Sequence, residues 1–238
     1  MLARLDWMTL KPRVVLDAGS GIGQMTVHLQ KRYPDARVIA LDLDQSMVTY
    51  SKSQATSLDC ICADAGELPF KAQSVDLIFA NLFLPWHDNI QVLLHEWSRV
   101  LNPDGLIMLT ALGPDTLKEW RGVVSDDYVP ERMDMHDLGD LLLDVGLADP
   151  VLDVDYYTMT YSNKEKLVAE LTASGMLTQS HAVNSENLAA SDEGVWSVTY
   201  EIVYAHAFAK NTMEQSISSD GTVKIPLAQL RQQLNSKS

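Results

Sequence analysis

VVLDAGSGIGQMTVHLQKRY, residues 14–33, joins a short apolar run to a glycine-rich turn and then to a segment whose apolar positions have helical spacing. Glycines let the backbone turn sharply and approach a ligand, and the N-terminus of the following helix supplies oriented N–H groups. The spacing Gly19-x-Gly21-x-Gly23 is tighter than the G-x-G-x-x-G of dinucleotide-binding folds and leaves no obvious room for a pyrophosphate. The stretch therefore predicts a strand, a ligand-binding loop and a helix.

Outward from this stretch, residues 13–112 alternate short apolar runs with amphipathic segments, which is the pattern of βαβ units and a parallel sheet. The apolar runs are VVLDAG, RVIALDL, LDCICAD, VDLIFANL and GLIMLTAL, and helices are predicted between them at residues 24–33, 45–54 and 89–101. Most of these runs are nearly continuous, as expected for strands that helices cover on both faces. The crossover rule then gives a right-handed, doubly wound α/β sheet.

The second half of the chain has a different rhythm. Residues 151–161 and 195–208 alternate with a period of two and are rich in β-branched and aromatic residues, so they predict two further strands. These strands extend the sheet to seven mostly parallel strands with one antiparallel edge. Helices are predicted at residues 116–124, at 136–145 with a left-handed C-cap at Gly146, at 163–173, and as a short candidate at 227–234.

The composition is that of an acidic globular protein. Its 238 residues, 46% of them hydrophobic, suffice for one large domain with a full core. The net charge of -14 repels nucleic acid and anionic membranes, and we expect neither as a partner. The two cysteines, Cys60 and Cys62, suggest a reducing compartment. The N-terminus lacks the features of a signal peptide and no window resembles a membrane span, so we expect a cytoplasmic protein.

Acidic residues follow the second and third predicted strands. Asp42 lies 19 residues past Gly23, where a carboxylate accepts the two hydroxyls of a ribose, and Asp44 competes for that role. Asp64 follows the third strand and is suited to accept a hydrogen bond from an adenine amino group. Residues 81–88, NLFLPWHD, reach the same edge of the sheet. The glycine turn alone also fits a simple strand–helix connection, but its combination with two acids in register favours a ligand site.

These motifs resemble class I S-adenosylmethionine-dependent methyltransferases. The resemblance rests on DAGSGIG at 17–23, ALDLD at 40–44, ADAGELPF at 63–70, VDLIFANLFLPWHD at 75–88 and LHEWSRVLNPDGLIMLT at 94–110. Three later strings are similar to the malonyl-acyl carrier protein O-methyltransferases of biotin synthesis, namely GPDTLKEWR at 113–121, MHDLGDLLLDVGL at 135–147 and TYEIVYAHAFAK at 199–210. The resemblance covers the chain from Leu2 to about Leu230.

The resemblance implies S-adenosylmethionine as cofactor and a role for each matching residue. It places the methionine and sulfonium end of the cofactor against Asp17, Gly19, Ser20, Gly21 and Gly23, the ribose against Asp42 and Leu43, the adenine against Asp64 and Ala65, and the transferred methyl against Asn81 and Leu82. It also implies a methyltransferase domain at residues 1–208, with a cofactor half at 13–112, cap elements at about 113–150 and 162–194, and a polar tail at 209–238.

Two departures from the family pattern are visible. The usual loop has a cysteine and a threonine where this chain has Ser20 and Ile22, a change that conserves size. Family members also carry a segment upstream of the first strand, with an aromatic residue near the cofactor and a helix over the site. Here twelve residues precede Arg13, and we expect such a segment to be missing or to lie further upstream.

The implied acceptor is the malonyl carboxylate, which is ionised near pH 7 because carboxyls titrate around ~4, so no general base is required. We interpret Arg121 as its bidentate partner, with a surface ion pair to Glu119 or Asp126 as the alternative. Trp86 and His87 are interpreted as pocket wall. The histidines and cysteines lack metal-ligand spacing, so we predict no metal.

An acyl carrier protein is itself acidic, so a partner of the same sign must offer it a local basic patch. Lys118, Arg121 and Arg132 are the candidates. Two alternative functions stay open: a class I methyltransferase for another small carboxylic acid, and a non-catalytic assembly factor that binds S-adenosylmethionine. The late string at 199–208 favours the carrier-protein enzyme, whereas the short upstream segment favours the assembly factor.

Overall fold

A computed structural model describes residues 1–54, 58–124, 129–177, 194–210, 216–217 and 223–224. The strands are β1 (Val14–Ala18), β2 (Arg37–Asp42), β3 (Asp59–Cys62), β4 (Val75–Ala80), β5 (Leu101–Leu112), β6 (Leu147–Tyr161), β7 (Trp196–Ala209), β8 (Ser216–Ile217) and β9 (Val223–Lys224). The α-helices are α1 (Gln24–Arg32), α2 (Gln45–Gln54), α3 (Ile90–Val100), α4 (Met135–Asp144) and α5 (Lys164–Ala173). Short 3-10 helices span Leu2–Trp7, Leu84–Trp86 and Lys118–Trp120.

The main sheet has seven strands in the order β3-β2-β1-β4-β5-β7-β6. Strands β1 to β5 are parallel, and β7 runs antiparallel to both of its neighbours. The predicted doubly wound, mostly parallel, seven-stranded sheet is confirmed, although the antiparallel strand lies one position inside the edge. The strand order reverses between β1 and β4, and such a switch point is where an open α/β sheet binds its ligand.

Both faces of the central strands are buried, which explains why their sequences are continuous apolar runs. Successive side chains of a strand point to opposite faces. Val15 and Leu77 therefore pack with Leu29 of α1 and Leu5 of the N-terminal 3-10 helix on one face. On the other face, neighbouring strand residues pack with α3 and α4 in the larger cluster that includes Leu16, Ile78, Leu93, Trp97, Leu138 and Leu142.

Side-chain caps explain where three of the helices begin. Asn89, Asp134 and Asn163 accept hydrogen bonds from the backbone N–H groups of Val92, His136 and Lys166, at the starts of α3, α4 and α5. Gly146 has the predicted left-handed backbone, at φ +88°, just after α4. Within the described ranges, no helix is long and apolar enough to cross a membrane.

The helix predicted at residues 116–124 is wrong. Leu117 has a left-handed φ of +57°, and only a short 3-10 turn follows it. The backbone of this segment bonds to β7 instead, since Gly113 N–H donates to the Glu201 carbonyl and Leu117 N–H donates to the Thr199 carbonyl, both at 2.8 Å. The helix predicted at 227–234 lies outside the described residues.

The strings at 113–121 and 199–210 interlock through a buried carboxylate. Glu201, 6% exposed, accepts a hydrogen bond from the Asp115 backbone N–H and another from the Tyr156 hydroxyl. The Thr116 hydroxyl and the Glu201 backbone also bond to each other. Trp120, 2% exposed, donates from Nε1 to the Ser197 carbonyl at 3.2 Å. Two strings 80 or so residues apart in the sequence are therefore one packed unit.

Gly113→Ala tests this interlock. A Cβ at position 113 would lie 2.3 Å from Glu201 Cδ, too close for any real contact. Because overpacking costs roughly 1–3 kcal/mol, we expect the free energy of unfolding to fall by about that amount. Urea denaturation at neutral pH measures it, and a variant as stable as the parent would contradict the close packing.

Candidate functional site

A cavity of about 770 Å³ opens at the carboxyl ends of the parallel strands, at the switch point of the sheet. This volume lies within the range of ligand sites, roughly 300–1,000 Å³. Four segments form its wall, one after each of β1, β2, β3 and β4, and α5 contributes its C-terminal end. The lining residues are Gly19, Gly21, Leu41, Asp42, Leu43, Asp44, Met47, Ala63, Asp64, Ala65, Asn81, Leu82, Phe83, Trp86, His87 and Ser174.

The glycine loop needs glycine for two different reasons. Gly19 has φ +68°, and a Cβ there would lie 2.2 Å from Phe83 Cδ2, so only a glycine permits this close approach. Gly21 has φ +53°, and a Cβ there would meet no atom within 4 Å, so its backbone faces open space. Gly23, at φ +78°, occupies the N-cap position of α1. The loop thus presents bare backbone to the cavity.

Asp42 connects the loop to the end of β2. Its Oδ2 accepts from Gly21 N–H at 2.8 Å, and its Oδ1 accepts from Asp44 N–H at 2.9 Å. Asp44 instead begins α2, because its Oδ1 accepts from Ser46 N–H at 2.7 Å. Hydrogen bonds from the Ser46 side chain and from its backbone N–H lower the pKa of Asp44. Both carboxylates line the cavity, but Asp42 holds the glycine loop and Asp44 caps a helix.

The segment after β3 is held by its own turn and by a hydrogen bond from α3. Asp64 Oδ1 accepts from Gly66 N–H at 2.7 Å, which closes a turn. The buried Trp97 Nε1 donates to the Ala65 carbonyl at 3.0 Å, and its ring stacks on Phe83 with centroids 6.1 Å apart. Trp97 is a core aromatic that also supports two parts of the cavity wall.

The segment after β4 turns through a residue with unusual backbone geometry. Leu82 has φ +53°, a region that non-glycine residues rarely adopt. Its N–H donates to Thr110 Oγ1 at 2.8 Å, and Thr110 Oγ1 lies 3.2 Å from Asn81 Oδ1. Thr110 is 1% exposed, whereas Asn81 lines the cavity. A buried hydroxyl in β5 therefore sets the conformation of the cavity wall.

Trp86 and His87, from the segment after β4, also line the cavity. His87 Nδ1 accepts from Asn89 N–H at 3.2 Å, and its Nε2 lies 3.6 Å from Asp64 Oδ1. A Cβ at Gly175 would lie 2.6 Å from Trp86 Cη2, so the indole packs directly on the end of α5. The cavity is thus bounded jointly by the β4 segment and by α5.

Carboxylates dominate the electrostatics of this wall. Asp42, Asp44 and Asp64 face the cavity, and among the described residues that line it there is no lysine or arginine. Such a set suits a ligand that carries a cation and hydroxyl or amino donors. It does not suit a pyrophosphate, which agrees with the tight glycine spacing.

A family profile described as a methyltransferase domain matches residues 16–109. A malonyl-[acyl-carrier protein] O-methyltransferase from Gallionella capsiferriformans is 36% identical, over 87% of this chain and 81% of that protein. The protein of the same name from Halorhodospira halophila is 34% identical, over 97% of this chain and 86% of that protein. The chain belongs to the malonyl-[acyl-carrier protein] O-methyltransferase family. The resemblance drawn from the sequence is confirmed.

A solved structure supports the fold assignment of this methyltransferase. YcgJ from Bacillus subtilis superposes with a TM-score of 0.65 over 88% of this chain and 97% of that chain, at 16% sequence identity. At that identity the likeness shows the fold alone.

The structure brings most of the predicted site residues of this family member to one cavity. Those that line it are Gly19, Gly21, Asp42, Leu43, Asp64, Ala65, Asn81, Leu82, Trp86 and His87. Ser20, Gly23 and Asp17 are not among the lining residues. Ser20 N–H donates to the Leu41 carbonyl at 2.9 Å, and its carbonyl accepts from Gly23 N–H, so both residues shape the loop from behind.

Arg121 lies elsewhere. Its Nη2 donates to the Pro114 carbonyl at 2.7 Å and to Asp115 Oδ1 at 2.8 Å, and its side chain is 55% exposed. It is not among the lining residues, and its ion pair resembles the surface alternative with Asp115 in place of Glu119 or Asp126. Its role toward a carboxylate stays a prediction that this placement does not favour.

Sequence reasoning missed Phe83 and Ser174 of the wall, and also Thr110, which is buried beside it. Phe83 and Thr110 gave no signal of their own, because an apolar residue after a strand and a threonine within one fit any buried sheet. Ser174 comes from a helix whose approach to the cavity no local pattern indicates. Within the described ranges, no three histidine, cysteine or acidic side chains lie close enough to hold a metal ion.

Asp17 is buried behind the loop rather than within the wall. It is 2% exposed, and its Oδ2 accepts from Thr26 Oγ1 at 2.6 Å. Burial is the main cause that raises the pKa of Asp17 to about 7; the Thr26 hydrogen bonds oppose the change and the nearby Asp42 carboxylate adds to it. The folded protein therefore holds a proton on Asp17 in mildly acidic solution.

Asp17→Asn tests this assignment through the pH dependence of stability. The stabilisation from the protonated side chain is complete below the unfolded pKa near 3.8 and is lost as pH rises through the folded pKa of about 7. We expect the parent to lose free energy of unfolding between pH 5 and pH 8 by up to a few kcal/mol more than the variant, since one pKa unit is about 1.4 kcal/mol. Urea denaturation at both pH values measures this, and equal slopes would contradict it.

Proposed function

We propose that this protein is a cytoplasmic enzyme that transfers a methyl group from S-adenosylmethionine to the free carboxylate of malonyl-acyl carrier protein. The resemblance implies that this esterification is an early step of biotin synthesis. The observation that carries the proposal is the match to relatives named for this reaction, at 30–36% identity over most of their length. The cavity at the switch point supports it independently.

The residues present fit the cofactor. Bound S-adenosylmethionine supplies an electrophilic methyl group on a sulfonium cation. Three carboxylates around the cavity favour a cation there, and the bare backbone at Gly21 allows close approach. Asp42, the last residue of β2, and Asp64, which follows β3, line the cavity and can accept hydrogen bonds from ribose hydroxyls and an adenine amino group.

The acceptor requires alignment rather than deprotonation. A carboxylate is already ionised at neutral pH, so the protein has to hold it in line and keep water out. Asn81, Leu82, Phe83 and Trp86 can do this from the β4 side of the cavity. His87 is engaged with Asn89 N–H through Nδ1, which fits a wall residue and not a base.

Docking of the carrier protein fits the segment at 113–132. Arg121 bonds to Pro114 and Asp115, Arg132 Nη1 donates to the Thr116 carbonyl at 3.3 Å, and Lys118 Nζ lies 5.4 Å from the Tyr156 ring centroid. The three predicted cations thus gather around one turn on a chain of net charge -14. Cations grouped on one turn can steer an acidic partner despite the overall charge, although Arg121 shares this turn with the Asp115 carboxylate that pairs with it.

The function is tested by titrating the protein with S-adenosylmethionine in a calorimeter and then assaying methyl transfer to malonyl-acyl carrier protein. Methyl ester formation would support the proposal. Transfer to free malonate but not to the carrier-bound acid would favour an enzyme for another small acid. Cofactor binding without transfer to either would favour the assembly-factor alternative.

Asp42→Asn should weaken the affinity for S-adenosylmethionine about tenfold, which corresponds to roughly 1.4 kcal/mol. The charged acceptor is lost, and charge-assisted hydrogen bonds are about twice as strong as neutral ones. Asp44→Asn is the matched control, because asparagine caps a helix as well as aspartate does. Calorimetry measures both dissociation constants. A larger loss for the Asp44 variant would reverse the assignment of the two acids.

Lys118→Glu should raise KM for malonyl-acyl carrier protein severalfold while the dissociation constant of the cofactor stays within about twofold. A rim charge acts mainly on the association rate and its salt dependence. The steady-state assay is repeated at low and high salt, where the difference between the parent and the variant should shrink as salt screens the charges. Lys31→Glu, on α1, is the control for a change of net charge alone.

A further inference from the structure

The acceptor carboxylate needs a partner in the cavity once Arg121 is placed outside its wall. Of the described lining residues, those whose side chains can donate a hydrogen bond to a carboxylate without carrying a fixed positive charge are Asn81, Ser174, His87 and Trp86. The Ser174 hydroxyl donates to the Leu171 carbonyl at 3.1 Å. His87 Nε2 faces Asp64 Oδ1 at 3.6 Å. Asn81 is the residue whose orientation a buried neighbour controls.

The hydrogen bonds around Thr110 fix that orientation. Leu82 N–H can only donate, so the Thr110 oxygen accepts it, at 2.8 Å. The single hydroxyl hydrogen is then directed to an acceptor, and Asn81 Oδ1 lies 3.2 Å away. Since the amide oxygen is used in this way, the Asn81 NH2 group is left as the part of the side chain available to the cavity.

We propose that Thr110 is a positioning residue for the acceptor: its hydroxyl holds the Asn81 amide so that the NH2 group donates to the acceptor carboxylate. This inference rests on the proposed function, because it presupposes a carboxylate acceptor. Thr110 acts through Asn81 and does not touch the acceptor itself.

A neutral donor suits this reaction better than an arginine would. The carboxylate is charged before methyl transfer and neutral afterwards, so a guanidinium would stabilise the ground state more than the transition state. An amide N–H orients the carboxylate oxygen and stabilises the charged ground state less than a guanidinium would. It also discriminates against the ester product, which lacks the charge that strengthens the hydrogen bond.

The geometry of Leu82 makes the arrangement selective for a hydroxyl at position 110. Leu82 is held at φ +53°, and its N–H is satisfied by the same oxygen that orients Asn81. Valine has the shape of threonine without the hydroxyl, so Thr110→Val removes both hydrogen bonds at nearly constant volume. Serine keeps the hydroxyl and loses only a methyl group.

The first experiment compares steady-state constants for these two variants. Thr110→Val should raise KM for malonyl-acyl carrier protein about tenfold or more, the scale of one lost polar contact in a specific site, with the cofactor dissociation constant changed by less than about twofold. Thr110→Ser should recover most of this loss. Thr158→Val, which removes a sheet hydroxyl bonded to Thr199 Oγ1, is the matched control and should leave KM unaltered.

The second experiment inverts the polarity of the site and does not require turnover. Asn81→Asp presents a carboxylate oxygen in place of the NH2 group. In protein saturated with an unreactive cofactor analogue that keeps a positive charge at the sulfonium position, calorimetry compares malonyl-pantetheine with the analogue whose carboxylate is replaced by a primary amide. The parent should prefer the acid, and Asn81→Asp should prefer the amide, a reversal of about tenfold or more in the affinity ratio.

The outcomes separate this inference from the proposed function. Failure of the parent to methylate malonyl-acyl carrier protein would refute the proposed function, while the binding preference still tests the role of Asn81. An unchanged preference in Asn81→Asp would overturn the inference even in an active enzyme. Equal loss of cofactor and acceptor affinity in Thr110→Val, with no recovery in Thr110→Ser, would show that Thr110 only maintains the fold.

Discussion

The cavity depends on the hydrogen bond between Gly21 N–H and Asp42. This contact joins the loop after β1 to the end of β2, and the second carboxylate oxygen holds Asp44 in the same way. Because one side chain bridges two adjacent strand ends, the glycine loop cannot move independently of the end of β2. The left-handed backbone at Gly19, Gly21 and Gly23 makes that bridge geometrically possible. The rest of the wall is arranged around these two strand ends.

Local sequence patterns predicted the sheet and the lining acids well, for a physical reason. Buried parallel strands must be apolar, and ligand residues must follow them at one edge, so position in the chain determines position in space. The helix predicted at residues 116–124 was wrong because the backbone of this segment forms hydrogen bonds to β7 instead. Arg121 lies in the same turn, so no local pattern indicated its position outside the cavity wall, and its role toward a carboxylate stays a prediction. Phe83 and Thr110 act across strands, and no local pattern encodes such contacts.

Two of the strings that are similar to this family, at 113–121 and 199–210, contact each other, and none of their residues lines the cavity. Glu201 binds the backbone of the turn that carries Asp115, and Trp120 binds the backbone of β7. The segments at 113–121 and 199–210 therefore pack as one unit at β7, whereas the profile of a methyltransferase domain matches residues 16–109. The relatives match far beyond the end of that profile.

The carboxylates that line the cavity repel a carboxylate acceptor unless a cation is bound there first. Asp42, Asp44 and Asp64 favour a cationic cofactor and, alone, disfavour an anionic acceptor. On the proposed function, this wall imposes an order in which the acceptor binds well only to the loaded enzyme. Methyl transfer removes both charges, so the same acids no longer attract one product and the Asn81 amide holds the other weakly. The wall thus favours entry before the reaction and release after it.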